Sequence, residues 1–184
     1  RSPEVLHRKI FLLSKYNSLR TLFRELGVSD DDTVLKDILH TFSYTVGWNN
    51  QCIEDMFSQD ILSLIGRSLS RCHFELSVVA GTALCALTEH SRDELLLRRA
   101  NDIIPHLLLL LGSTDMSLLV KVFISIKRII LLVFNAHVTL HSSDLLPRVV
   151  LLTNHPSIEI GRMAIELEEL LIIYNNSNNN DNND

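Results

Sequence analysis

Apolar and polar positions along this chain recur with a long period as well as a helical one. Asp60-Ile61-Leu62, Asp102-Ile103-Ile104 and Asp144-Leu145-Leu146 lie 42 residues apart. Downstream of each, Leu76, Leu118 and Ile160 keep the interval, as do Ala80, Val122 and Ala164, and Leu87, Ile129 and Leu171. One interval upstream, Val34, Ile38 and Thr45 take the matching places, and Leu19 matches Ile61. Within each interval the spacing is helical. Over 74–90, Leu76, Val79, Ala80, Ala83, Leu84 and Leu87 make one broad apolar stripe. A lone helix cannot bury such a stripe, whereas stacked repeats bury it continuously. The pattern predicts an all-α body of about four 42-residue units, each a short apolar helix, a turn and a longer helix.

The longer helices are placed at 33–46, 74–90, 115–134 and 157–174. Asp102 is placed at the start of a short helix, where it accepts backbone N–H bonds, with Pro105 in the first turn where its missing donor is not needed. Pro147 stands in the same relation to Asp144. Gly112-Ser113-Thr114-Asp115 and Asn154-His155-Pro156-Ser157 read as turns. The carboxylates Asp30-Asp31-Asp32 read as a solvated turn at a favourable helix start. Small residues Ala80, Gly81 and Ala83 allow a neighbouring helix to approach closely. The N-terminal segment 3–26, rich in leucine and phenylalanine, is expected to form an atypical cap on the first unit.

Two stretches carry a resemblance to a known family. Asn101-Asp102-Ile103-Ile104-Pro105-His106-Leu107 through Leu111, followed by Gly112-Ser113-Thr114-Asp115, resembles the second helix, turn and third-helix start of an armadillo repeat. Val79-Ala80-Gly81-Thr82-Ala83-Leu84-Cys85-Ala86-Leu87 resembles the third helix of the preceding repeat. HEAT repeats are the neighbouring pattern. The resemblance spans roughly 17–174 and is most specific over 76–115. It implies a right-handed armadillo-like superhelix and a binding scaffold, with the last helix of each unit lining the concave side. The exposed candidates for protein binding there are His40, Tyr44, Trp48, Lys121, Lys127 and Arg128, with Glu166 beside them. Tyr and Trp can anchor a partner, and Arg can pair with a carboxylate. Trp48 can equally cover the end of the first unit, and Tyr44 can belong to the core. Peptide-binding members of the family carry an asparagine ladder and tryptophans one turn before it. Those positions hold Tyr44, Ala86, Arg128 and Leu170, and His40, Thr82, Ile124 and Glu166, so neither ladder is present.

Composition narrows the reading. The 184 residues are 46% hydrophobic, with six glycines and four prolines, as suits a mainly helical body. One domain is expected over 1–174. The Asn-, Ser- and Asp-only tail 175–184 is expected to be disordered, since it has no apolar side chain to bury. The formal charge of −5, with Arg67, Arg71, Arg98-Arg99 and Lys127-Arg128 dispersed, argues against a nucleic-acid interface. Residues 118–134 are apolar enough to suggest a membrane span. Lys121, Lys127 and Arg128 would each cost several kcal/mol at mid-bilayer, so a buried central helix is expected and membrane insertion is not. Cys52, Cys72 and Cys85 lack a paired metal spacing and read as free thiols of a reducing compartment. Asn175-Asn176-Ser177 is a glycosylation sequon given no role here. The opening Arg1-Ser2-Pro3 carries no secretory signal and no methionine, as expected of a fragment or processed chain.

Chemical constellations are sparse. No Gly-rich phosphate loop and no His-Glu-x-x-His spacing occurs. His137 and His141 are four apart, but they lie in a connector without a local third ligand. Glu166, Glu168 and Glu169 read as a wet helix face, and Glu89-His90-Ser91 as a helix end. The sequence therefore predicts no enzyme, no cofactor and no metal. The expectation is a protein-interaction scaffold, a subunit or fragment of a larger intracellular complex, nuclear or chromatin-associated in preference to cytoplasmic. The alternatives are an adaptor for an extended peptide in the concave groove and a nucleic-acid-binding accessory module.

Overall fold

The computed structural model describes residues 28–46, 59–71, 73–136, 140 and 144–181. Among the described residues the chain forms seven helices and no strands: α1 (Asp32–Val46), α2 (Gln59–Ser70), α3 (Phe74–His90), α4 (Asp93–Leu110), α5 (Met116–Asn135), α6 (Leu145–Leu152) and α7 (Ile158–Asp181). The fold is all-α, built by helix-on-helix packing. It divides between Ser91 and Arg92 into two compact bodies. In the N-terminal body α3 packs against both α1 and α2. In the C-terminal body α5 packs against α4 and α7, and α6 packs against α7.

The four long helices begin at residues 32, 74, 116 and 158, each 42 after the last. Their starts are fixed by the residue just before. Asp31 Oδ1 accepts from Thr33 N at 2.8 Å, and Asp31 O accepts from Leu35 N. His73 Nδ1 accepts from Leu76 N at 3.3 Å, and Asp115 Oδ1 accepts from Leu118 N at 2.8 Å. Before α7, Ser157 O accepts from Gly161 N. A side-chain oxygen in this place satisfies an amide with no partner inside the helix and is worth about 1 kcal/mol. Phase set by these starts carries into the core. Ile38, Ala80, Val122 and Ala164 are all buried, as are Leu76, Leu118 and Ile160, and Leu87, Ile129 and Leu171. The side chain of Thr45 lies outside the described residues.

The short helices keep no such uniformity. A short helix starting at Asp102 is not what forms: α4 runs unbroken from Asp93, with Asp102 and Pro105 inside it. The reason is the apolar stripe Leu96, Ala100, Ile103, Ile104, Leu107 and Leu108, which is buried on both sides of Asp102. Asp93 and Glu94 occupy the first turn, where negative charge favours a helix start. Burying a Leu or Ile side chain is worth about 1.5–3 kcal/mol, and five such positions outweigh the roughly 3 kcal/mol cost of an internal proline. Pro105 itself is exposed, and exposed Asp102 pairs with Arg99 at 2.9 Å. Asp144 does precede α6, and Pro147 sits in the first turn, but the Asp144 side chain makes no capping bond. Asp60 is the second residue of α2.

Helix α7 also runs further than the apolar pattern, through Asp181 rather than stopping near 174. Asn175 and Asn176 are exposed there. Among the described side chains the last buried anchor is Tyr174, whose hydroxyl accepts from Leu140 N at 2.7 Å and whose ring lies 6.5 Å from that of Phe134. The N-terminal segment 3–26 lies outside the described residues.

Candidate protein-binding surface

Each described candidate sits on a long helix whose phase is set by the cap before it. On α1, His40 and Tyr44 are one turn apart and both exposed, Tyr44 at 60%. Tyr44 is therefore not a core residue. Trp48 lies outside the described residues. His40 and Tyr44 belong to the N-terminal body, and Lys121, Lys127 and Arg128 to the C-terminal one.

On α5, Lys121 is exposed, whereas Lys127 and Arg128 are drawn to different neighbours. Successive helical residues point about 100° apart. Lys127 Nζ donates to Glu166 Oε2 on α7 at 3.0 Å, and Arg128 Nη2 donates to Asp93 Oδ1 at the start of α4 at 2.7 Å. The couple that looks like one basic site in the sequence thus ties α5 to two helices. Lys127 beside it holds the Glu166 carboxyl below the ordinary carboxylate range, helped by Arg162.

The same device recurs in the N-terminal body. Lys36 on α1 bonds Glu75, the second residue of α3, and lowers the pKa of that carboxyl. Both lysine–glutamate ties span 39 residues. Arg71, just after α2, donates to Asp32 Oδ1 at 2.7 Å, to Asp30 Oδ1 at 2.9 Å and to Asp30 O at 2.8 Å. The hydrogen bond with Asp32 is the main cause of its raised pKa. The three aspartates of this turn thus divide their work: Asp31 caps α1, and Asp30 and Asp32 clamp Arg71. These pairs lie at the surface, where solvent screening keeps the contribution of each to stability small. Their use is orientation of one long helix on the next. On α4, burial lowers the pKa of half-buried His106, with Asp102 opposing the shift.

Sequence reasoning passed over a set of exposed apolar side chains because it equated apolar with buried. Phe74, Met116 and Ile158, the first residues of α3, α5 and α7, are all exposed at the same place in the 42-residue register. Ile124 and Leu131 are exposed on α5, Val150 and Leu151 on α6, and Ile165, Ile172 and Ile173 on α7. The available signal was positional: Ile165 and Ile172 fall off the stripe of Ile160, Ala164, Leu167 and Leu171 that forms the α7 core face.

Among the described residues no group of three or more His, Cys, Asp or Glu could hold a metal ion, and no helix is long and apolar enough to cross a membrane. His137 and His141 lie outside the described residues, as do Cys52 and Cys72, while Cys85 is buried and in no disulfide. No protein-family model matches the chain and no curated protein matches it, so what its structure supports is an all-α, multi-helix body consistent with the helical-repeat class in general.

Proposed function

We propose that this chain is a non-enzymatic protein-interaction scaffold, an armadillo-like right-handed superhelix of about four 42-residue units. It works as a subunit or fragment of a larger intracellular complex, with nuclear or chromatin-associated assemblies preferred. The observation that carries the reading is the recurrence of long-helix starts at 32, 74, 116 and 158, with Ile38, Ala80, Val122 and Ala164 buried in that register. A body built this way commits its core side chains to stacking and offers exposed helix faces for recognition. Binding would come from burial of exposed apolar and aromatic side chains such as Tyr44. Lys121 and the ion-paired Lys127 and Arg128 would set orientation.

The test is proximity labelling and co-purification with the full-length chain, followed by hydrogen-exchange mapping of the isolated complex. Protection of exposed long-helix faces, including the His40–Tyr44 turn or the Lys121 turn, is the expected result. A captured partner that leaves every exposed helix face exchanging as in the free chain would overturn the assignment.

A further inference from the structure

One flank of the long helices is covered in α1 and α5 but bare on α7. On α1, Lys36, Leu39, Ser43 and Val46 follow at three- and four-residue steps and form one stripe. Lys36 bonds Glu75 of α3, and Leu39 and Val46 are buried, so this stripe is the side α1 turns toward α3. On α5 the same register gives Phe123, Lys127, Ile130 and Phe134. Lys127 bonds Glu166, and Phe134 meets Tyr174, both on α7. Phe123 and Ile130 are 1% and 0% exposed. One repeat later the register reads Ile165, Glu169, Ile172 and Asn176 on α7, and all four are exposed, Ile165 at 46% and Ile172 at 44%. Among the described residues, the stripe that joins α5 to α7 thus recurs on α7 exposed.

The charges on this stripe state what would fit. Arg162 is exposed and stands at the register position of Lys36, whose partner Glu75 is the second residue of the oncoming helix. Glu169 stands at the position of Lys127, whose partner on the oncoming helix is Glu166. The lysine has become a glutamate, so the required partner charge changes sign. We propose that the Arg162–Ile165–Glu169–Ile172 stripe docks an amphipathic helix of a partner protein. That helix carries an acidic residue opposite Arg162 and, seven residues later, a basic residue opposite Glu169, with aliphatic side chains between. The inference rests on the scaffold reading above and continues the helix-on-helix joint seen between α5 and α7. A helix with the face that α7 turns to α5 would not do as it stands, because its Glu166 would meet Glu169, and like charges across an interface disfavour the pairing.

That mismatch supplies the probe. A peptide of residues 158–177 keeps Glu159, at the register of Glu75, and with Glu166→Lys carries the required base seven residues on. Binding to the intact full chain is measured by fluorescence anisotropy. The Glu166→Lys peptide is expected to bind at least about tenfold more tightly than the unmodified one, a difference well within reach of one charge pair. Glu169→Lys in the chain is expected to reverse that preference. Ile165→Asp with Ile172→Asp is expected to abolish binding while the chain still unfolds cooperatively at a modestly lower temperature, since both side chains are about half exposed.

Equal binding of the two peptides, a preference that ignores residue 169, or self-association of the chain through this stripe in sedimentation would each overturn the proposal. If co-purified partners stay bound to the Ile165→Asp, Ile172→Asp chain, the stripe assignment fails and the scaffold reading stands. If the peptide docks with the expected charge dependence but the full chain recruits no protein, the scaffold reading fails instead.

Discussion

Ile130 and Ile172 are the same residue at the same place in the 42-residue register, and only one of them is buried. Substituting each by alanine therefore compares position with chemistry held constant. Ile130 is 0% exposed on α5, so truncation removes its apolar contacts and leaves a cavity that close-packed neighbours fill only in part. Buried Ile→Ala changes cost about 2–5 kcal/mol. The removed carbons alone, at about 0.8 kcal/mol per buried CH2 group, account for roughly 2 of that. Ile172, 44% exposed on α7, is only partly covered and forfeits about half as much. Alanine is also the better helix former, by a few tenths of a kcal/mol, so Ile172→Ala should cost about 1 kcal/mol or less. Urea unfolding followed by circular dichroism gives both values from midpoint shifts, provided the slopes match. Equal costs for the two variants would refute the claim that the α7 stripe is bare, and with it the register argument for a docked helix.

Local geometry supports three further predictions. A Cβ on Gly161 would lie 3.1 Å from the Thr153 carbonyl oxygen, so Gly161→Ala should forfeit the roughly 1 kcal/mol helix gain and Gly161→Val should destabilise by about 1–3 kcal/mol; a full helix gain in the alanine variant would show that the turn before α7 yields freely. Glu166, held low by Lys127, should titrate below the ordinary carboxylate range in a carbon-detected NMR experiment and return toward it in Lys127→Ala. Its stabilising contribution is present above its unfolded-state value and is lost as pH falls through the lower folded value; a titration unmoved by Lys127→Ala would remove the ion pair from solution. Because burial lowers the pKa of His106, the unfolded chain takes up that proton first, so stability should fall as pH drops below about 6.5 until the lower folded value is passed. His106→Gln should flatten that slope in thermal melts between pH 7.5 and 5.5, and an identical slope would exclude His106 as its source.

The long helices were legible because cap and core share one period. Expected starts at 33, 74, 115 and 157 meet observed starts at 32, 74, 116 and 158. Asp115 and Asp31 announce themselves, since short polar side chains before an apolar run are the chemistry of a helix start. The start of α4 was not legible from Asp102 and Pro105, because local start signals there compete with the buried stripe from Leu96 to Leu108, and the stripe prevails. The ties among candidate residues were hidden for a different reason. Arg71 meets Asp30 across 41 residues and Lys127 meets Glu166 across 39, distances over which periodicity gives phase but no partner. Exposure of Ile165 and Ile172 depends on whether another helix packs onto α7, which no property of these two residues encodes.

The segments between successive long helices hold helices of 12, 18 and 8 residues, yet the long-helix starts never lose step. Tolerance to insertion and deletion should therefore be lopsided. A residue added in the connector before α7 leaves every side chain within that helix on its original side. One added after Ile160 turns the remainder by about 100°, swinging Ala164, Leu167 and Leu171 out of the interior together. Engineered variants of this chain should accept new loops ahead of its caps and reject them behind.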